Sequence, residues 1–523
     1  MDRRDIARLF MTHHSDRAGD DPRRERERLS REVEELGVCG YCIFGGEEER
    51  TSALNKEMRE AAGRALLVAS DLEQGLGQQV AGGTVFPSQM AVGATASPRL
   101  AGQVGRAVAT EAAATGINVV FAPVADLATE PSNPIVGVRS YGADPAVVAE
   151  NVRSYVAGCQ SVGVADTVKH FPGHGDTLVD SHIDLPVVTA KRSTLESREL
   201  VPFAEAVRSG VRLVMMGHIA CPELAGSDAP ASLEARLVDG LLRAELGFDG
   251  VVVTDALTMG AVTRRYGPGE AAVAALLAGA DVLLMPDDLD DALGAVVDAL
   301  ASGRVTEEHV RRSLDRIDEL ISWVSDGYEG ASVGLSDANL RSHASLARDV
   351  ARRGLTLGPD VCGPPPDARL LADALFVVVA DPDDAPCTDA VREALAKRAP
   401  SARVEMLSGA ASDAAGRVAD GARRESALVV LVFDRPSAWR GRVGPDERVA
   451  ATLGAALREH PASAALLFSG PGLITAFGGA RWSVCGYDDS HFMLEAALDA
   501  LFGGPPPEGR LPAPVERGGR AAA

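Results

Sequence analysis

A chain of 523 residues with a formal net charge of -22 is too long for a single hydrophobic core and too acidic to favour a phosphate backbone or an anionic membrane as its main partner. A hydrophobic content of 46% against 24% charged residues is that of a folded globular protein, which excludes extended disorder and leaves a small neutral or cationic substrate easiest to accommodate. Seven cysteines, odd in number and scattered, fit reduced thiols better than a disulfide framework, and without an apolar run of signal-peptide or membrane-spanning length the expected location is the cytoplasm.

Leu9-Phe10-Met11 opens the pattern as a short apolar run, and the Arg/Glu-rich stretch from Pro22 to Leu36 predicts a salt-bridged, solvent-facing helix. Strand-like apolar runs then recur at Cys39-Phe44, Leu66-Ser70, Asn118-Ala122, Val164-Val168, Leu213-Met216, Val251-Thr254 and Val282-Met285. Helical patterns lie between them at Leu100 to Thr115, Ala146 to Val162, Leu200 to Ser209 and Glu270 to Leu277. With the Leu9 run this makes eight strands alternating with helices, the spacing of an α/β protein with a parallel (β/α)8 barrel. Cys39-Gly40-Tyr41-Cys42 spells C-x-x-C, but it sits inside an apolar run with no second pair, so buried strand cysteines are expected.

A helical stretch from Glu307 to Trp323 leads into a Gly/Ser/Asp-containing connection, Ser325 to Ser336, and a second α/β pattern follows. Its strand runs are Ala374-Ala380, Val404-Leu407, Ala427-Phe433, Ala464-Phe468 and Trp482-Cys485, which predict an open sheet flanked by helices. The expected organisation is therefore a barrel domain over 1–330 and a second α/β domain over 345–523. Gly470-Pro471-Gly472 follows a strand, but its third glycine is out of register for a dinucleotide turn, so no cofactor is implied. The last residues, Arg520 to Ala523, read as frayed.

Chemistry concentrates at strand ends. Asp71, Lys169, His170, His218 and Asp255 each fall at or just past the C-terminal end of a strand run, where barrel enzymes place their active sites. Any one of them taken alone reads as a helix cap; five together point to a site. Three histidines, a lysine and two aspartates crowd into Lys169-His170-Phe171-Pro172-Gly173-His174-Gly175-Asp176-Thr177 and Asp180-Ser181-His182. Its glycines and proline predict an irregular loop from which polar groups project. His174, between two glycines, is expected to order that loop rather than react.

This stretch resembles the signature loop of bacterial β-N-acetylglucosaminidases of glycoside hydrolase family 3. Further family-like segments are Phe86-Pro87-Ser88-Gln89-Met90-Ala91, Asn118 to Val124, Arg139-Ser140-Tyr141-Gly142, Glu199 to Phe203, Leu246 to Asp255, and the closing Gly503-Gly504 with Gly509-Arg510-Leu511-Pro512. The resemblance implies a barrel followed by an α/β sandwich domain, and cleavage of a β-linked N-acetylglucosaminyl residue with retention of configuration. It implies Asp255 as nucleophile, His182 as general acid/base paired with Asp180, and Asp71, Arg139, Lys169 and His170 as holders of the sugar hydroxyls. One motif departs from the family pattern: Asp71-Leu72-Glu73-Gln74-Gly75-Leu76 carries Leu76 where a hydroxyl-binding arginine is expected.

The residue chemistry agrees. A retaining glycosidase needs an ionised carboxylate to attack the anomeric carbon and a second group that first gives and later takes a proton. A histidine, with an unperturbed pKa of about 6.5, serves both roles near neutrality. Three alternatives stand beside this reading. A phosphorylase is one, because a histidine avoids the like-charge repulsion that a carboxylate would offer an incoming phosphate. The others are a metal-dependent barrel hydrolase using His170, His174, His182 and His218 with an aspartate, and a non-catalytic glycan-binding protein. No H-x-H pair on the first strand and poor Gly-Pro spacing argue against a metal. The expected partner is a small carbohydrate, with no nucleic acid and no membrane; the oligomeric state is not legible.

Overall fold

Parallel barrel strands are buried on both faces and so need continuous apolar runs rather than alternation. The computed structural model describes residues 1–328, 335–381, 385–433 and 444–515, and these divide into two compact units.

The first unit comprises Met1–Val85, Ala101–Leu127 and Pro145–Ala344. Its strands are β1 (Phe10–Asp16), β2 (Gly40–Gly45), β3 (Leu67–Ser70), β4 (Val119–Val120), β5 (Ala165–Phe171), β6 (Leu213–Met216), β7 (Val251–Thr254) and β8 (Leu283–Leu284). They lie side by side in the order β7-β6-β5-β4-β3-β2-β1-β8. A parallel bridge between Val253 and Val282 brings β7 back to β8, with the Val282 N–H donating to Val252 O at 3.0 Å. The eight expected runs thus form the expected barrel.

β1 and β5 are longer than their apolar runs, and β4 and β8 shorter. β4 is only two residues long, and Asn118 just before it binds the β3 segment through its side-chain amide, accepting from Val68 N at 2.8 Å and donating to Leu66 O at 2.9 Å. β5 runs on through Lys169 and His170 to Phe171, so these two residues stand on strand rather than on the irregular loop expected. Its pairing with β6 shifts register between Val168 and Phe171. Helices at Pro98–Ala114, Pro145–Gln160, Leu200–Arg208 and Pro268–Ala278 occupy the expected intervals. Cys39 and Cys42 are buried free thiols.

The second unit comprises Phe86–Leu100, Ala128–Asp144 and Ser345–Ala523. Among the described residues it holds a six-stranded sheet in the order β11-β10-β12-β13-β14-β9, made of β9 (Thr356–Leu357), β10 (Leu375–Val379), β11 (Arg403–Leu407), β12 (Leu428–Phe433), β13 (Ser463–Phe468) and β14 (Trp482–Cys485). β9 is antiparallel to β14 and, at two residues, leaves no periodic signal in the sequence. The closing segment ties distant pieces of this unit together: Gly509 N–H donates to Leu355 O, Arg510 N–H to Ala94 O and Ala143 N–H to Pro512 O, at 2.8–2.9 Å. The expected connection over 325–336 is helical to Tyr328; its residues 329–334 and the terminal Arg520 to Ala523 lie outside the described residues.

Candidate active site

Lys169 is the most deeply buried cation at the C-terminal end of β5, 2% exposed, with Nζ 2.6 Å from Asp71 Oδ1 and 2.7 Å from Glu73 Oε1. A buried ammonium is tolerated only when its donors are matched by acceptors. Two carboxylates from the segment after β3 supply that match, and they fix Lys169 against Asp71, which stays partly open to solvent.

His170 is organised by a residue the sequence reading did not single out. Asp126, fully buried, accepts from His170 Nδ1 at 2.7 Å, from His170 N at 3.2 Å and from His174 N at 2.7 Å. A carboxylate only accepts, so His170 carries its proton on Nδ1. Burial would raise the Asp126 carboxyl, but the charge of His170 and its hydrogen bond, followed by His174, hold it below the ordinary carboxylate range. Asp126 lies several residues past the end of β4, unlike Asp71 and Asp255, which immediately follow β3 and β7, so the strand-end signal that marked those two did not mark it.

His174 is locked in place. Its Nδ1 lies 2.8 Å from Thr177 Oγ1 and its Nε2 3.0 Å from Ser181 Oγ, while the Thr177 hydroxyl donates to His174 O. With that hydroxyl hydrogen committed, Nδ1–H donates to Thr177 and Nε2 accepts from Ser181. Burial pushes the imidazole down to about 4, so it is neutral near pH 7. The neighbouring Gly175 must lack a side chain, because a Cβ there would stand 1.8 Å from Leu127 O.

The same loop ends in Asp180 and His182. Asp180 Oδ1 accepts from both the backbone N–H and the Nδ1 of His182 at 2.8 Å. The carboxylate side chain is 0% exposed and the imidazole 28%, an orientation that leaves Nε2 as the ring nitrogen able to exchange a proton outward. The loop is pinned to the segment after β7: Gly260 N–H donates to His182 O and Ala261 N–H to Ser181 O, both at 3.1 Å. A Cβ on Gly260 would lie 2.6 Å from His182 O.

That segment begins with Asp255. Its backbone N–H donates to Met216 O at 2.9 Å, and its Oδ1 accepts from Ala256 N at 2.8 Å. Burial alone would raise this carboxyl; the charges of His170, His218 and His182, in that order, bring it below its ordinary value. His218 supports the turn. Its Nε2 donates to Ala256 O at 3.0 Å and its Nδ1 accepts from Ser232 Oγ at 2.7 Å, and burial lowers its basicity.

The barrel therefore brings Asp71, Lys169, His170, Asp180, His182 and Asp255 to strand ends and the loops that follow them, with Asp255 within electrostatic reach of His170 and His182. Arg139 belongs to the second unit, where its Nη1 donates to Ile135 O at 3.0 Å. Leu76 is fully buried in the short turn Leu76–Gln78, packed where a Cβ on Gly83 would lie 2.6 Å from its own. Both nitrogens of His174 and of His218 are occupied by hydroxyl or carbonyl oxygens. Among the described residues no group of three His, Cys, Asp or Glu side chains is placed to hold a metal ion, and no helix is long and apolar enough to cross a membrane.

The family model described as the glycosyl hydrolase family 3 N terminal domain matches residues 3–320. The chain belongs to glycosyl hydrolase family 3. It is similar to a beta-hexosaminidase of Xylella fastidiosa (strain M23), 40% identical over 276 residues that cover 50% of this chain and 81% of that protein. It is also similar to beta-hexosaminidase A of Pseudoalteromonas piscicida, 30% identical over 361 residues, 63% of this chain; the match spans 60% of that relative's length. Among solved structures, the family 3 beta-N-acetylglucosaminidase from Paenibacillus sp. str. FPU-7 superposes with a TM-score of 0.84 at 29% identity, covering 98% of this chain and 99% of that one.

Proposed function

We propose that the protein is a retaining exo-glycosidase that hydrolyses terminal β-linked N-acetylglucosamine, or a related β-hexose, from small glycosides, with Asp255 as nucleophile and Asp180–His182 as the acid/base unit. The observation that carries this reading is the pairing of a partly buried carboxylate held below its ordinary range by histidines, Asp255, with a partly exposed histidine whose Nδ1 is bound to a buried carboxylate, His182.

In the first step the Asp255 carboxylate attacks the anomeric carbon while protonated His182 gives its Nε2 proton to the glycosidic oxygen, so the C–O bond breaks and the aglycone leaves as an alcohol. In the second, neutral His182 takes a proton from water, the water oxygen attacks the same carbon and Asp255 departs as carboxylate. Asp180 stabilises the imidazolium and fixes its tautomer. Asp71, Lys169 and His170 hold the sugar hydroxyls. The relatives named for hexosaminidase activity support the hexosamine as substrate, and cell-wall fragments met in the cytoplasm are the natural class of small glycoside.

The test is turnover of an aryl β-N-acetylglucosaminide against the matching β-glucoside. Asp255→Ala lowers kcat by about a thousandfold or more. His182→Ala lowers it by about 10²–10⁴-fold on an unactivated alkyl aglycone and by less on p-nitrophenol, which leaves without a proton. Full activity in both variants would sink the mechanism, and release of sugar 1-phosphate on adding phosphate would make the protein a phosphorylase.

A further inference from the structure

We infer that Arg17, laid across the ring of Phe44 beside the Asp71–Lys169 pair, is a sugar-binding guanidinium and a determinant of which glycone the site accepts. The inference rests on the glycosidase reading for its substrate class but not for its geometry.

Strand register places the parts. In the parallel pairing of β1 with β2, Ser15 stands opposite Phe44 and His13 opposite Cys42; in that of β2 with β3, Cys42 stands opposite Ala69. Successive residues alternate faces, so Phe44 and Asp71, each two residues beyond that Cys42–Ala69 pair, share the next step along the same face. Phe44 is half-buried, so part of its ring is open at the C-terminal end of β2, the barrel end where Asp71 binds Lys169. An independent sign agrees: the buried Cys42 thiol lies within electrostatic reach of Asp71, Lys169 and Arg17 together.

Arg17 is held there and still has donors to offer. Its guanidinium carbon lies 4.9 Å from the Phe44 ring centroid, and its backbone N–H is fixed by Asp20 Oδ2 at 3.0 Å. Its stem crosses the end of β2 at Gly45, where φ is +76° and a Cβ would come within 3.0 Å of Arg17 Cγ. One Nη2–H bonds Gln79 Oε1 at 3.3 Å, on the turn that follows Asp71, and a guanidinium carries five N–H donors. That same turn is where Leu76 takes the place of the arginine expected there and buries itself in the turn's packing. Arg17, an exposed residue just after β1, thus brings a guanidinium to the turn that lacks its own. Stacking on an aromatic face leaves the planar edge of the group free for oxygen acceptors, which suits the hydroxyl-bearing edge of a glycone.

The experiment compares the wild type with Arg17→Ala and Arg17→Lys in two ways: steady-state kinetics on aryl β-N-acetylglucosaminide, and calorimetric titration with N-acetylglucosamine. Removing a charged donor from a sugar hydroxyl weakens binding by roughly ten- to a hundredfold. The expected result is that KM and the dissociation constant both rise by that factor in Arg17→Ala while kcat stays within about twofold, with little recovery in Arg17→Lys because a lysine cannot stack. Among 3-, 4- and 6-deoxy glycones, the one lacking the hydroxyl held by Arg17 then binds wild type and variant equally. Variants whose KM and affinity stay within about twofold of wild type, or an equal loss across all three deoxy glycones, overturn the inference while leaving the glycosidase reading intact. Weakened sugar binding in Arg17→Ala without any turnover by the wild type would do the reverse, and a wild type that binds no sugar overturns both.

Discussion

Strand β5 carries buried ionisable residues at both of its ends, and the two ends treat them in opposite ways. Near its start, Asp166 accepts one hydrogen bond from Gln160 Nε2 at 2.8 Å, its Oδ2 has no hydrogen-bond partner, and burial pushes the carboxyl up to about 7. Near its finish, Lys169 sits between two carboxylates and His170 against Asp126, and the buried Asp126 and the partly exposed Asp255 are held below the ordinary carboxylate range. Asp166 and Asp126 are equally buried; what differs is the number of cations and donors aimed at each carboxyl. The lesson is that an ionised aspartate in this barrel is a local construction, assembled from histidines at one pole and omitted at the other.

One substitution, aspartate to asparagine, probes that contrast at three places. Asp180→Asn has the largest effect: the amide no longer stabilises the imidazolium or fixes its tautomer, and kcat falls by on the order of 10³–10⁴ with folding retained. Thermal melts alongside kinetics check both halves. Asp126→Asn removes the charge that faces His170 and meets Nδ1–H with an amide, which costs about 3 kcal/mol in denaturant unfolding and lowers activity through a misplaced His170.

Asp166→Asn goes the other way, by the smallest amount. Because the folded pKa of about 7 is raised above the ordinary aspartate value of 3.8, protonated Asp166 favours the fold fully below 3.8 and that advantage is lost as pH rises through about 7. Asparagine keeps the acceptor for Gln160 without the charge, so the variant gains about 2 kcal/mol over wild type at pH 9 and little at pH 4. Equal stability differences at both pH values would break the comparison.

Much of this was legible in the residues, for identifiable reasons. Continuous apolar runs located all eight barrel strands, though not the ends of β1, β4, β5 and β8, because parallel strands need such runs, and the glycines of Lys169 to Gly175 flagged a segment with special geometry. Asp126 escaped notice because a lone aspartate after a short run reads as a cap until the histidines it receives are placed in space. β9 escaped because two residues carry no period, and the role of Arg17 could not be seen because it depends on the register between β1, β2 and β3. Leu76 stands out in the sequence as a departure from the family motif, and its burial shows that the side chain completes a turn.

The most direct test of the central claim is to trap the glycosyl-enzyme. Incubation with a 2-deoxy-2-fluoro glycosyl donor carrying a good leaving group slows the second step more than it slows the first, and mass spectrometry of the digested protein locates the label. The account predicts one sugar per chain, bonded to Asp255, with no label on Asp255→Ala. A label on another residue, or full turnover by Asp255→Ala, would contradict it.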